Sequence, residues 1–131
     1  MYLTIDTSAL IAVIGNEVSK QKIIEITKGY SLCAPASVHW EIGNAFSAMF
    51  KRQKSSIKLT KKALDEYKKI PIKFIDVSLE KTVEISHTQN IYAYDAYLIQ
   101  CAQQTSTSLL TLDNQLKTTA EKMAINILEL K

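Results

Sequence analysis

Five short, mostly apolar runs punctuate the chain: "YLTID" at 2–6, "YSLCAP" at 30–35, "IKFIDV" at 72–77, "SLLTLD" at 108–113 and "INILEL" at 125–130. The segments between them have helical spacing. A strand that faces solvent on one side alternates polar and apolar residues. A strand that is apolar on both faces must be covered on both, which happens when helices cross over between parallel strands. The expected fold is therefore α/β: a three-layer α/β/α sandwich around a central, mostly parallel five-stranded sheet, with right-handed crossovers. The 131 residues suit a single domain spanning 1–131. Three glycines and two prolines are too few for a linker-rich or all-β chain.

Between the runs, "SALIAVIG" predicts a helix with Thr7 or Ser8 as its cap. Residues 17–28 predict a second, with Val18, Ile23, Ile24 and Ile26 as its apolar members and Gly29 as its end. A long helix starts at Ser37, "SVHWEIGNAFSAMFKRQ". In it Val38, Ile42, Ala45 and Met49 share one apolar face, and Glu41, Asn44, Ser47 and Lys51 form a polar stripe. "TKKALDEYKK" reads as a solvated helix, "SLEKTVEISHTQ" as a helix capped by Ser78, and "NQLKTTAEKM" as a short helix. "IYAYDAYLIQCA" is apolar almost all round, as expected of a central helix.

Several function classes are excluded or made unattractive. No apolar run reaches the ~18 residues of a membrane span, and the N-terminus lacks the basic stretch of a secretory signal. Cys33 and Cys101 both lie in apolar segments and read as reduced core thiols, so the expected location is cytoplasmic, with no membrane contact. There is no Gly-rich phosphate loop, and neither His39 nor His87 accompanies a nucleophile motif. The net charge of +3 is unevenly spread. Residues 51–73 hold nine Lys or Arg against Asp65 and Glu66, while the remainder is acidic. That segment is either a solvated helical surface or a track for a phosphate backbone.

Four acids stand out by position. Asp6 and Asp113 close two of the apolar runs, at the edge of a parallel sheet where ligands collect. Glu41 and Asp95 lie in helical segments beside apolar neighbours. Taken singly, Asp6, Asp95 and Asp113 can be helix caps and Glu41 a surface acid. Brought together without a cation, the four would repel and some would hold protons. Around Mg²⁺ or Mn²⁺ they would make the all-oxygen site that hard cations prefer. Tyr92, Tyr94 and Tyr97 are either stacking surfaces for bases or core residues whose hydroxyls find a partner.

In this order and spacing the acids resemble the PIN-domain nucleases, in particular the VapC-type toxins of toxin–antitoxin pairs. The resemblance runs from "TIDTSALIAVI" through "SVHWEIGNAF" and "YAYDAYLIQCA" to "LLTLDNQLKTTA". Family members carry an acid and a small hydroxyl residue after the first strand, matched by Asp6 and Ser8. The acid of an E-x-x-N helix is matched by Glu41, with Asn44 following. Asp95 matches the acid opening the central helix, and Asp113 the acid closing the fourth strand. A further acid found in some members is replaced here by Asn114 and Gln115.

The resemblance implies a Mg²⁺- or Mn²⁺-dependent endoribonuclease. Asp6, Glu41, Asp95 and Asp113 would be the metal-holding and catalytic residues. Ser8, Asn44 and Thr111 would support them, and Lys51, Arg52 and Lys54 would contact RNA. It also implies a cognate antitoxin and a homodimer. Two alternatives stay open: an RNase of RNA processing outside any toxin pair, and an inactive binding module on the same fold.

Overall fold

Leu3, Ile5, Cys33, Ala34, Leu109 and Leu110 are sealed from solvent because they stand on strands covered on both faces. In the computed structural model, which describes residues 1–130, these strands form one parallel sheet. They are β1 (Tyr2–Ile5), β2 (Ser31–Pro35), β3 (Ile72–Ile75) and β4 (Leu109–Leu110), in the order β3-β2-β1-β4. The helices are α1 (Thr7–Ile14), α2 (Lys20–Thr27), α3 (Ser37–Lys51), α4 (Ile57–Lys68), α5 (Leu79–Gln89), α6 (Ala93–Thr105) and α7 (Asn114–Lys122). α1 packs on α2, α3 and α4, while α5 packs along α6, which lies against β1, β2 and β4. This is the expected α/β sandwich. Among the described residues no helix is long and apolar enough to cross a membrane.

The sheet has four strands where five were expected. Ile127 makes only an isolated parallel bridge to Leu109. It is held by Leu109 N–H to the Asn126 carbonyl (2.9 Å) and Leu128 N–H to the Leu109 carbonyl (3.0 Å). β4 itself is short for a visible reason. The next backbone donors leave the ladder for side chains: Leu112 N–H goes to Ser8 Oγ (2.9 Å) and Asp113 N–H to Thr111 Oγ1 (3.0 Å).

Local signals explain most helix ends. Ser78 caps α5 through Lys81 N–H (3.2 Å), as expected, and Ser56 caps α4 in the same way. The cap of α1 is Asp6, not Thr7 or Ser8. α2 starts only at Lys20; Val18 is fully exposed and Ile23 alone is buried on that helix. α6 is central from Ala96 onward, but Tyr92, Ala93 and Tyr94 at its start face solvent. The two thiols are free and buried, both against the Thr4 hydroxyl, with Cys33 Sγ at 3.5 Å and Cys101 Sγ at 3.7 Å.

The order of the strands creates the site. From β1 the chain builds outward through β2 to β3, then returns to place β4 on the other side of β1. The reversal leaves a crevice at the carboxyl ends of β1 and β4, the topological switch point where α/β sheets bind ligands. One backbone position on the way to β2 is demanding: Gly29 has φ +86°, a region costly for residues with a Cβ. Gly29→Ala is expected to lower stability by roughly 1–2 kcal/mol, read as a reduced denaturation midpoint with an unchanged m-value.

Candidate active site

Asp6 follows β1 directly and is 4% exposed. Its backbone N–H bonds the Leu110 carbonyl (3.1 Å), so the ends of β1 and β4 are tied at this residue. Its carboxylate accepts from Ser8 Oγ (2.7 Å) and Ala9 N–H (3.0 Å) on one oxygen and from Thr111 Oγ1 on the other. Burial pushes the Asp6 carboxyl above the usual range. The three hydrogen bonds pull it back down in part, and the charge of Asp113 pushes it up again. Ser8 and Thr111 both hydrogen-bond the Asp6 carboxylate. Each also accepts a backbone N–H from the turn after β4, which locks that turn onto Asp6.

Glu41 projects from the first half of α3 and accepts a hydrogen bond from Thr7 Oγ1 (2.8 Å). Burial raises its pKa; Thr7 opposes the shift, and the charges of Asp6 and Asp95 add to it. Asp95 is the third residue of α6, in the first turn rather than at the cap, which is Tyr92. Its carboxyl is raised by burial and then by Asp113. Asp113 caps α7 through Gln115 N–H (2.9 Å) and Leu116 N–H (3.3 Å). Asp6 and Asp113 are thus helix caps and members of the acid cluster at once. Repulsion runs round a closed ring, from Asp6 to Asp113, Asp95, Glu41 and back to Asp6. None of the four makes an ion pair with a Lys or Arg among the described residues.

The other predicted residues sit apart from the ring. Asn44 is exposed on α3, one turn beyond Glu41. Lys51, Arg52 and Lys54 are exposed at the far end of α3, about 15 Å along the helix from Glu41. His39 is held by Tyr67, its Nδ1 2.9 Å from the Tyr67 hydroxyl. Thr7, which fixes Glu41, escapes a sequence reading because a hydroxyl after an acid at a helix start looks like a cap.

The ring offers carboxylate and hydroxyl oxygens and no thiolate or imidazole, the donor chemistry of a hard divalent cation. As placed, no group of three or more His, Cys, Asp or Glu side chains among the described residues is arranged to hold an ion. Its donors fit Mg²⁺ or Mn²⁺, and the spacing would have to tighten around one.

The raised carboxyls have a consequence for stability. A group whose pKa is higher folded than unfolded contributes stability that is fully present below its unfolded value and lost as pH rises through its folded value. Asp6, Glu41 and Asp95 all have this sign. Metal-free Asp95→Asn protein should therefore melt at or above wild type near neutral pH, the difference shrinking toward about pH 4. Adding Mg²⁺ or Mn²⁺ should move the comparison toward wild type. Parallel melting shifts for the two proteins would remove Asp95 from any metal site.

Three solved structures share this fold. PAE2754 from Pyrobaculum aerophilum is 20% identical with a TM-score of 0.65, covering 94% of this chain and 95% of its own. VapBC2 from Rickettsia felis, bound to a DNA fragment from its promoter, is 18% identical with a TM-score of 0.64, covering 98% of both chains. Mycobacterium tuberculosis VapC20, a sarcin–ricin loop cleaving toxin, is 10% identical with a TM-score of 0.64, covering 88% of this chain and 93% of its own. None of the curated proteins matches the chain by sequence. The PIN domain family model matches residues 3–122, nearly the whole chain and all four acids, and the chain belongs to the PIN domain family of nucleases.

Proposed function

We propose that this PIN domain is a Mg²⁺- or Mn²⁺-dependent endoribonuclease and the toxin of a toxin–antitoxin pair. The observation that carries the reading is the ring of four mutually repelling carboxylates at the switch point between β1 and β4. A protein gains nothing in stability from such a ring, so an inactive binding module has no use for it. Two solved structures of similar fold, VapC20, a sarcin–ricin loop cleaving toxin, and VapBC2, bound to a DNA fragment from its promoter, support the same reading.

In this reading Asp6, Glu41, Asp95 and Asp113 hold the cation, directly or through water. When bound, the ion supplies an acidified water, neutralises charge and polarises the scissile phosphate. The protein's own work is placement. Asp6 is immobilised by Ser8, Ala9 and Thr111 and sets the reference point of the site. Thr7 holds Glu41 toward the same crevice. In the metal-free protein burial and the neighbouring acids raise the carboxyls of Glu41 and Asp95, a charge imbalance that a bound cation would offset.

Lys51, Arg52 and Lys54, exposed beyond the ring, suit contacts to RNA phosphates. The antitoxin has its own candidate surface. A groove of about 640 Å³ between α1, α3 and α4 is lined by Ile14, Phe46, Leu59 and Ala63 together with charges of both signs, Lys20, Lys62 and Lys69 beside Asp65 and Glu66, and Lys69 is paired with Glu66 at 3.2 Å. Its apolar part suits an amphipathic segment of the antitoxin. The homodimer belongs to the same reading, as does a cytoplasmic location.

Purified protein incubated with total RNA should cleave only with Mg²⁺ or Mn²⁺. Asp6→Asn should abolish cleavage and be tolerated in cells where wild type arrests growth without an antitoxin. Thr111→Val, which keeps the shape but removes the hydroxyl from Asp6, should cost about 10–100-fold. Cleavage unaffected by chelator, or equal toxicity of Asp6→Asn, would refute the assignment. Changing Lys51, Arg52 and Lys54 together to Ala should flatten the slope of log affinity against log salt for single-stranded RNA by roughly 2; an unchanged slope would rule out the phosphate track.

A further inference from the structure

Three neighbouring strands set one row of side chains across the sheet. Thr4 on β1, Cys33 on β2 and Lys73 on β3 are partners in its register, and residues of such a row share a face. α6 packs against β1 and β2 and brings Cys101 to the same row. Cys33 Sγ lies 3.5 Å and Cys101 Sγ 3.7 Å from the Thr4 hydroxyl. These are the only cysteines of the chain, and both are free and 0% exposed. One buried thiol is ordinary, since cysteine packs as a small hydrophobe. Here a strand and a helix from distant parts of the chain deliver both thiols to one oxygen atom.

The hydrogen-bonded group does not stop at the thiols. Thr4 Oγ1 is 2.6 Å from Thr107 Oγ1, which is 3.1 Å from Thr105 Oγ1. Thr105 and Thr107 are partly exposed. They flank Ser106, an exposed residue in the left-handed region (φ +54°) that ends α6. A file of hydroxyls therefore joins the sealed thiols to a helix end, a place that opens at low free energy. The two thiols also differ in character. Hydrogen bonding between them draws Cys33 below the usual thiol range, against burial and with help from Thr4, Thr105 and Lys73. The same contact pushes Cys101 up, and burial adds to it.

We infer that Cys33 and Cys101 are a thiol-oxidation site, closing to a reversible disulfide that staples β2 to α6 when the protein meets a peroxide. The Cys33 sulfur attacks one oxygen of hydrogen peroxide as its thiol proton leaves. The O–O bond breaks, and the departing hydroxide takes that proton to become water. Cys33 is then a sulfenic acid. The Cys101 sulfur attacks the Cys33 sulfur, the S–O bond breaks, and hydroxide leaves with the Cys101 proton as a second water. Two thiols have given two electrons to one peroxide. A dithiol reverses the reaction by exchange. The resting state is the reduced pair, and a disulfide made and unmade in this way is the kind that reducing compartments permit. The site stands on the core alone and is independent of the nuclease reading.

Reduced wild-type protein would be treated with hydrogen peroxide under native conditions and its peptides mapped without reduction. A Cys33–Cys101 linked pair is expected, in protein that migrates as single chains on a denaturing, non-reducing gel. Closing so long a loop restricts the unfolded chain, so the thermal midpoint should rise by roughly 5–15 °C and fall back with dithiothreitol. Cys33→Ala and Cys101→Ala, each compared with its own untreated form, should show no rise. The peptide map needs no variant, so the test survives if either substitution prevents folding. Thiols that ignore peroxide in the folded protein and react only after denaturation would overturn the inference. So would disulfide-linked dimers, sulfinic acid without a disulfide, or a midpoint that stays level or falls.

Discussion

The clamp around Asp6 is the interaction on which the rest depends. One carboxylate receives Ser8, Ala9 and Thr111, and its backbone bonds the end of β4. It therefore caps α1, joins the two strands that border the switch point, and fixes the turn that delivers Asp113. Hydrogen bonds to a charged group contribute about 1.5–3 kcal/mol each, yet the Asp6 carboxyl remains raised. Its desolvation outweighs three donors. The clamp also shapes the sheet, because Leu112 and Asp113 give their N–H groups to Ser8 and Thr111 instead of to a neighbouring strand. β4 therefore ends where this turn begins.

Folding and function pull against each other at this edge. Asp6, Glu41 and Asp95 each lose stability as they ionise, and no Lys or Arg pairs with them among the described residues. The penalty is borne by the core beneath, where Leu3, Ile5, Leu10, Val38, Ile42 and Ile99 are almost wholly buried. A cation bound only by the folded state would add RT ln(1 + [L]/Kd), about 2.7 kcal/mol at a hundredfold excess over Kd. In the proposed function the ion would act as the counter-charge of the fold as well as the reagent of the site.

What the sequence made legible follows from periodicity. Apolar runs of four to six residues located β1 to β3, and acids at two run ends located the crevice, because both signals are local. Signals that depend on distant partners were lost. "INILEL" has the composition of a strand, but it pairs only at Leu109, where Leu109 N–H bonds the Asn126 carbonyl and Leu128 N–H the Leu109 carbonyl. Val18 looked like a helix face, yet the chain is not helical there until Lys20. The run around Asp95 looked central because its residues are apolar, whereas Tyr92 and Tyr94 are 88% and 50% exposed. Thr7 read as a cap because its partner Glu41 is thirty-four residues away. Composition cannot distinguish an aromatic that fills a core from one that borders a site.

α3 shows how a single helix resolves that ambiguity. Consecutive residues stand about 100° apart, so Trp40, Glu41 and Ile42 point in three directions from one turn. Ile42 enters the core, Glu41 reaches Thr7 across the crevice, and Trp40 faces solvent. The apolar side, anchored by Val38, Ile42 and Phe46, sets the rotation of the helix, and that rotation aims the other two. Shifting the register by one residue would put Glu41 or Gly43 in the place of Ile42 and expose the isoleucine, and burying the unpaired charge of Glu41 alone would cost several kcal/mol. The orientation of Trp40, Asn44, Ser47 and Lys51 is therefore set by the core on the opposite side of the helix, although these four residues stay exposed.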